Sequence, residues 1–283
     1  MPYFADGRTL IKDAYQRRYA LPAFNVCSLE MARACLLAAE AERAPVILQT
    51  YPGDLEHASA ATFAAMVRAL AEEVSVPVTL HLDHGDGLAR VATCLRAGYG
   101  SVMLDGEALP LEDNIRLMRR AAELTRAVGV ALEAAAGSFG GGEGSGELHL
   151  TEPAAAARLR HEGGADMVAC SVGSKHGQAS RLDLERLQAI AEAMQGPMVL
   201  HGGSGIAAED LGAAVALGVV KVNIGAALYR AMLATWRAAV PQAPLHYPVY
   251  TAVRKRLIDV VREKFQQTGA AGKASLIEVG GTV

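Results

Sequence analysis

His84, His176 and His201 each follow an apolar run that reads as a strand, and acids or glycines stand beside them. Imidazole nitrogens from three strand ends make the donor set of a catalytic zinc site. Such a site keeps a fourth position open, whereas a structural zinc closes its shell. A single strand-end histidine is most often a hydrogen-bonded structural residue, so the argument rests on the three together. The stretch "HLDHGD" (81–86) poses the question sharply, with two histidines either side of Asp83. Strand alternation points His81 away from the face that His84 uses, so His81 reads as a structural or supporting residue. His57, His149, His161 and His246 lie in helix or loop contexts and read as ordinary.

Other polar residues choose the same positions. Asn25, Gln49, Asp83, Asp105 and Asn223 close strand candidates, and Glu133 lies within one. Two glycine-flanked stretches, "KHGQAS" (175–180) and "HGGSGI" (201–206), begin at or beside a histidine. Their backbone N–H groups, the Ser204 hydroxyl and the N-terminus of the next helix compose an anion cradle.

These residues must be positioned by an alternation of strand and helix. Strand candidates are 20–26, 45–51, 77–84, 101–106, 130–137, 166–173, 197–205 and 220–225. Helix candidates are 29–43, 58–73, 88–97, 111–127, 152–162, 183–194, 207–217 and 226–238. Near-continuous apolar strands are buried on both faces, which means a parallel sheet with helical crossovers. The number and length of these units match an α/β fold of the closed (β/α)8 TIM-barrel type, in which every strand end converges on one catalytic mouth. An open doubly wound sheet also accommodates eight such units. Residues 246–268 predict a further amphipathic helix, capping the barrel or reaching a neighbouring subunit. The expected organisation is one domain over 1–283, with 240–283 a C-terminal helical extension.

Composition sets the outer bounds. The chain has 283 residues, 51% hydrophobic and 20% charged, with a net charge of −3. That is enough for one large core. No basic stripe or aromatic platform points to nucleic acid. No apolar run is long enough to predict a membrane span. The scattered Cys27, Cys35, Cys94 and Cys170 fit reduced thiols, and no leader is apparent, so a cytoplasmic protein is expected.

The ordered motifs "LHLDHGD", "SVMLDGE", "LEAAAGSFGGGEG", "SVGSKHG", "LHGGSGI" and "KVNIGAAL" resemble class II, zinc-dependent ketose-bisphosphate aldolases, nearest the branch containing tagatose-1,6-bisphosphate aldolase. The resemblance implies a lyase (an aldehyde-lyase) of carbohydrate metabolism. It would cleave a ketose (bis)phosphate reversibly to dihydroxyacetone phosphate and an aldehyde, through a zinc-stabilised enediolate. It implies one Zn2+ per subunit on His84, His176 and His201, with a monovalent cation as a further candidate. Asp83 matches the acid that exchanges a proton with the aldehyde oxygen, Glu143 the α-proton base, and Asn223 the enediolate contact. Gly177, Gly202 and Ser204 match phosphate-binding positions, and Asn25 lines the same mouth. Asp105 and Glu133 match acids that support the histidines. The implied partner is a small sugar phosphate, with no nucleic acid and no membrane, and the implied assembly is a homodimer or homotetramer.

Departures from the family pattern fall on substrate-gripping positions. Ala135 stands where a glutamate is usual, Ala226 where a hydroxyl residue is usual, and Tyr51 where a small residue is common. An arginine associated with the second phosphate has no clear counterpart in "HYPVYTAVRK", and Tyr51, Arg181 and Arg254 are candidate replacements. The expected substrate therefore differs from fructose 1,6-bisphosphate, with a non-phosphorylated or altered aldehyde half. A non-catalytic barrel subunit or sugar-phosphate sensor is the competing expectation. Retention of the three histidines, Asp83 and Glu143 weighs against it. Lys175 and Lys221 are the strand-end lysines that a Schiff-base mechanism would require.

Overall fold

The computed structural model describes residue 3 and residues 6–138 and 149–274. Eight parallel strands close into a barrel in chain order, each paired with its sequence neighbours and β8 with β1. They are β1 (Leu21–Asn25), β2 (Val46–Thr50), β3 (Val78–Gly85), β4 (Ser101–Leu104), β5 (Ala131–Ala136), β6 (Met167–Cys170), β7 (Met198–Leu200) and β8 (Val219–Ile224). Seven of the eight are buried throughout, and the one partly exposed strand residue, in β3, is His84. That is the pattern of strands filled from inside and covered by helices from outside.

The described helices are α1 (Gly7–Arg17), α2 (Leu29–Glu42), α3 (Pro52–His57), α4 (Ala60–Ala71), α5 (Leu88–Ala97), α6 (Leu111–Ala127), α7 (Pro153–His161), α8 (Leu184–Met194), α9 (Ala208–Ala216), α10 (Ala226–Ala239) and α11 (His246–Gln267). Their starts and faces follow local chemistry. The Ser28 and Asp183 side chains accept the backbone N–H of Met31 and Arg186, capping α2 and α8. On α6, Ile115, Met118, Ala122 and Thr125 recur at helical spacing and are buried against the barrel. Helix α11 is the expected C-terminal helix. It packs against α2 and α10, and its Phe265 meets Phe24 of β1 edge-on at 5.7 Å. Among the described residues no helix is long and apolar enough to cross a membrane.

Two helices were not anticipated. Asp6 caps α1, and Leu10, Ile11 and Ala14 are buried, while the Gly7 N–H donates to the Gly100 carbonyl at 2.8 Å. These contacts place α1 by the start of β4, at the end of the barrel opposite the polar strand ends. Helix α3 is a short turn started by Pro52 after β2. The sixth and seventh strands stop at Cys170 and Leu200, short of the expected 173 and 205. Their Ser- and Gly-rich ends leave the sheet as loops at the mouth.

Candidate active site

The third strand solves a parity problem. Alternation would send Asp83 and His84 to opposite sides, yet both belong to the mouth. The β3–β4 register shifts between Leu82 and Gly85, and His84 takes a left-handed backbone with φ 49°. A bulge of this kind re-aims side chains and ends regular pairing. A non-glycine residue there costs on the order of 1 kcal/mol, a strain typical of functional positions. Gly85 completes the turn, because a Cβ at that position would collide with the Met103 carbonyl oxygen. The same bulge changes the direction expected of His81 relative to His84, while its supporting part stands. Its ring lies inside the barrel, fully buried, with Nδ1 2.8 Å from Ser101 Oγ and Nε2 3.5 Å from Glu133 Oε2.

The ligand atoms of His84, His176 and His201 lie within 4.8 Å of one another. The His84 and His201 rings meet edge-to-face at 4.7 Å, with His176 at 5.9 and 6.0 Å from the two. Carboxylates fix the tautomers. Asp105 Oδ2 sits 2.6 Å from His84 Nδ1, and Glu133 Oε1 sits 3.0 Å from His201 Nε2. A carboxylate only accepts, so each favours a proton on the ring nitrogen it faces, with the Asn223 amide nitrogen a further neighbour of His201 Nε2 at 3.1 Å. The lone pairs of His84 Nε2 and His201 Nδ1 are then turned on each other at 3.0 Å. A proton or a metal ion between them reconciles the two. Nitrogen ligands of a tetrahedral zinc stand about 3.3 Å apart, so the pair fits two donors of one ion, oriented by outer carboxylates.

The local field points the same way. Burial disfavours charge on His84, but Asp83, Asp105 and Glu133 outweigh it and push its pKa up to about 9. Burial and the neighbouring His84 hold His201 well below the usual imidazole range. The three carboxylates thus set a field that favours positive charge at the histidine cluster.

Asp83 is held by amides from three strands. Asn25 Nδ2 and Gln49 Nε2 donate to Oδ2 at 2.9 and 3.1 Å, and Asn223 Nδ2 donates to Oδ1 at 2.8 Å. Gln49 also donates to Asn25 Oδ1 at 2.9 Å, and Lys221 Nζ donates to Asn223 Oδ1 at 2.6 Å. Burial raises the Asp83 pKa, but His84, His201 and Lys221 with the Asn25 hydrogen bond bring the net direction down. Asp83 is 5% exposed and its nearer oxygen lies 4.0 Å from His84 Nε2, beside the histidine cluster. Sequence had placed Gln49 at the mouth without a role and had considered Lys221 only as a Schiff-base candidate. The readable signal was a fully polar side chain in an otherwise apolar strand.

On the opposite side of the mouth, Gly177 and Gly202 adopt φ of 70° and 69°. A Cβ on Gly202 would come 2.9 Å from the Lys175 carbonyl oxygen, so the two loops touch backbone to backbone. Ser204 Oγ accepts the Ala227 N–H at 3.0 Å, joining the second loop to the start of α10. Sequence reading passed over Arg230, one turn along α10, whose Nη1 donates to the Gly177 carbonyl at 3.0 Å. Arg181, one of the candidate cations, pairs with Asp210 at 2.8 Å and with Glu209 at 2.5 Å in the first turn of α9. Glu143 lies outside the described residues.

Asp54, at the start of α3, adds a pH-dependent element. It is 5% exposed, and its Oδ2 accepts the Tyr51 N–H at 3.1 Å. Burial, opposed by that N–H and reinforced by Asp83, pushes its pKa up to about 6. This exceeds the value of about 3.9 for an unfolded aspartate, so its stabilising contribution is present below about pH 4 and is lost as pH rises through about 6. Asp54→Asn keeps an acceptor for Tyr51 and carries no charge. It is expected to gain on the order of 2 kcal/mol at pH 8 and nothing at pH 4. Urea unfolding at the two pH values checks this, and an equal gain at both contradicts it.

The chain is similar to known proteins in sequence and fold. A fructose-bisphosphate aldolase of Streptococcus pneumoniae is 40% identical over 226 residues, covering 76% of each chain. A 6-phospho-5-dehydro-2-deoxy-D-gluconate aldolase of Bacillus subtilis is 33% identical, covering 98% of this chain and 99% of its own. The crystal structure of the YdjI aldolase from Escherichia coli K12 superposes with a TM-score of 0.87 at 32% identity, covering 96% of this chain and 100% of that one. Residues 5–273 match the family model of class-II fructose-bisphosphate aldolase, and the chain belongs to that family.

Proposed function

We propose that the protein is a zinc-dependent lyase that reversibly cleaves a ketose phosphate to dihydroxyacetone phosphate and an aldehyde. The observation that carries the reading is the convergence of the His84, His176 and His201 ligand atoms within 4.8 Å of one another, two of the rings oriented by a carboxylate behind them. Zinc held by His84, His176 and His201 would supply Lewis-acid stabilisation to a carbonyl oxygen that gains charge. The chain's own residues do the rest. Asp83 gives and takes the proton at the aldehyde oxygen, and its three amide donors keep the carboxylate aimed. Asn223 presents its amide to the enediolate oxygens. Glu143 takes the α-proton of the ketose phosphate on the return path.

Gly177, Gly202, Ser204 and the start of α10 receive the phosphate, and Arg230 supplies the charge that Ala226 lacks the hydroxyl to assist. Charge-assisted hydrogen bonds are about twice as strong as neutral ones. Arg230→Ala is therefore expected to raise KM for a ketose phosphate ~10-fold while kcat stays within about twofold. Steady-state kinetics check this, and a fall in kcat at constant KM would remove Arg230 from phosphate binding.

The aldehyde half differs from that of fructose 1,6-bisphosphate, in keeping with Ala135, Ala226 and Tyr51. A retro-aldol screen of ketose mono- and bisphosphates with zinc present tests the function. Efficient cleavage of fructose 1,6-bisphosphate would refute the substrate reading, and no cleavage of any ketose would refute the activity. We place the protein in the cytoplasm as a homodimer or homotetramer. Supporting this are unpaired cysteines among the described residues and an apolar surface at Trp236, Val240, Leu245 and Tyr247 where α10 meets α11.

A further inference from the structure

We infer that Lys221 is a positioning residue for the reaction, holding Asn223 and Glu133 so that the amide faces Asp83 and the carboxylate faces His201. This rests on the aldolase reading above.

Lys221 lies in β8, two residues before Asn223, and is fully buried. Its ammonium has donors and no acceptor. Nζ lies 2.6 Å from Asn223 Oδ1 and 2.8 Å from Glu133 Oε2. The amide therefore turns its oxygen to the lysine, and its Nδ2 is left to donate to Asp83 Oδ1 at 2.8 Å. A carboxylate only accepts, so Asp83 demands the same orientation from the other side. Two charged neighbours of opposite sign thus agree on one rotamer of Asn223.

Glu133 is held in the same manner. Oε2 faces Lys221, and Oε1 lies 3.0 Å from His201 Nε2. Lys221 gives this fully buried carboxylate its counter-charge. Two lines therefore leave one ammonium, to the proton-exchanging acid through Asn223 and to a ring of the histidine cluster through Glu133. Full enclosure and the bond to Glu133 also deny Lys221 a Schiff-base role, since a nucleophilic amine must reach a substrate carbonyl. A merely structural role is the weaker account, because a buried ion pair adds little stability over apolar residues of similar volume.

Lys221→Met preserves the stem and removes the charge. In zinc-loaded enzyme it is expected to lower kcat ~100-fold with KM within about threefold. In an Asn223→Ala background the same change should cost roughly tenfold less, because one of the two residues it acts through is gone. A kcat for Lys221→Met within threefold of the parent, or equal losses in both backgrounds, would overturn the proposal.

Zinc affinity, measured by competition titration, supplies a readout that needs no turnover. Lys221→Met should weaken zinc binding ~10-fold or more, as loss of outer support does. Adding Glu133→Gln, which leaves an uncharged acceptor for His201 and no uncompensated carboxylate, should recover much of it. Unchanged zinc affinity in Lys221→Met, or no recovery in the double variant, would overturn the proposal. If the parent protein cleaves no ketose phosphate, the aldolase reading fails and the zinc titration alone decides the role of Lys221.

Discussion

His84→Ala is expected to lose bound zinc and at least ~10³-fold of cleavage activity together, since Lewis-acid stabilisation is worth several kcal/mol. The geometry makes this histidine hard to replace. Its Nδ1 is tied to Asp105 at 2.6 Å, and its Nε2 is one of the two nitrogens that meet at 3.0 Å. Alanine removes one of three donors and leaves the Asp105 carboxylate facing a void. Alanine also inherits the left-handed backbone at φ 49°, so no strain is relieved. His84→Gly relieves it, and glycine at such a position recovers roughly 1 kcal/mol. The two variants should therefore be equally poor in zinc and in turnover, with glycine the more stable. Metal analysis of protein purified without added metal, with melting and retro-aldol assays, reads all three quantities. A zinc content near one per chain in His84→Ala would exclude His84 as a ligand.

How far the sequence foretells this site depends on the kind of fact. The barrel was legible because buried parallel strands and helical crossovers impose a period that composition cannot hide. The strand ends were legible too, since residues such as Asp105, Glu133 and Asn223 are conspicuous in apolar strands. Side-chain direction was less so. One bulge between Leu82 and Gly85 reverses parity, which is why alternation misplaced His81 relative to His84. Lys221 sits two residues before Asn223 and therefore shares its inward face, but only the closed barrel shows that it meets Glu133 from β5 across the interior. Arg230 looks like an ordinary helix-surface residue. Its contact with Gly177 exists because α10 starts beside the loop after β6, and no local pattern encodes that adjacency.

Asp83 should separate chemistry from metal. Asp83→Ala is expected to keep about one zinc per chain and to lose ~10³-fold in kcat, in the range that general acid–base catalysis contributes. The carboxylate is not among the three clustered ligands; its nearer oxygen lies 4.0 Å from His84 Nε2. Asp83→Asn should match that loss of turnover at a smaller cost in stability. Asp83 receives donors at both oxygens, from Asn25 and Gln49 at one and from Asn223 at the other. Asn223 cannot turn while Lys221 holds its oxygen at 2.6 Å, so the new amide keeps its own oxygen toward Asn223. Its NH2 then faces Asn25 and Gln49, and these accept it by turning over together, since Gln49 Oε1 is buried without a partner. Alanine instead takes the acceptor away from all three amides, and buried donors left unmade cost on the order of 1–3 kcal/mol. Asp83→Asn should thus melt above Asp83→Ala while matching its loss of turnover. If Asp83→Ala instead sheds its zinc, the carboxylate belongs to the metal site; if it keeps its turnover, the proton at the aldehyde oxygen is carried by another group.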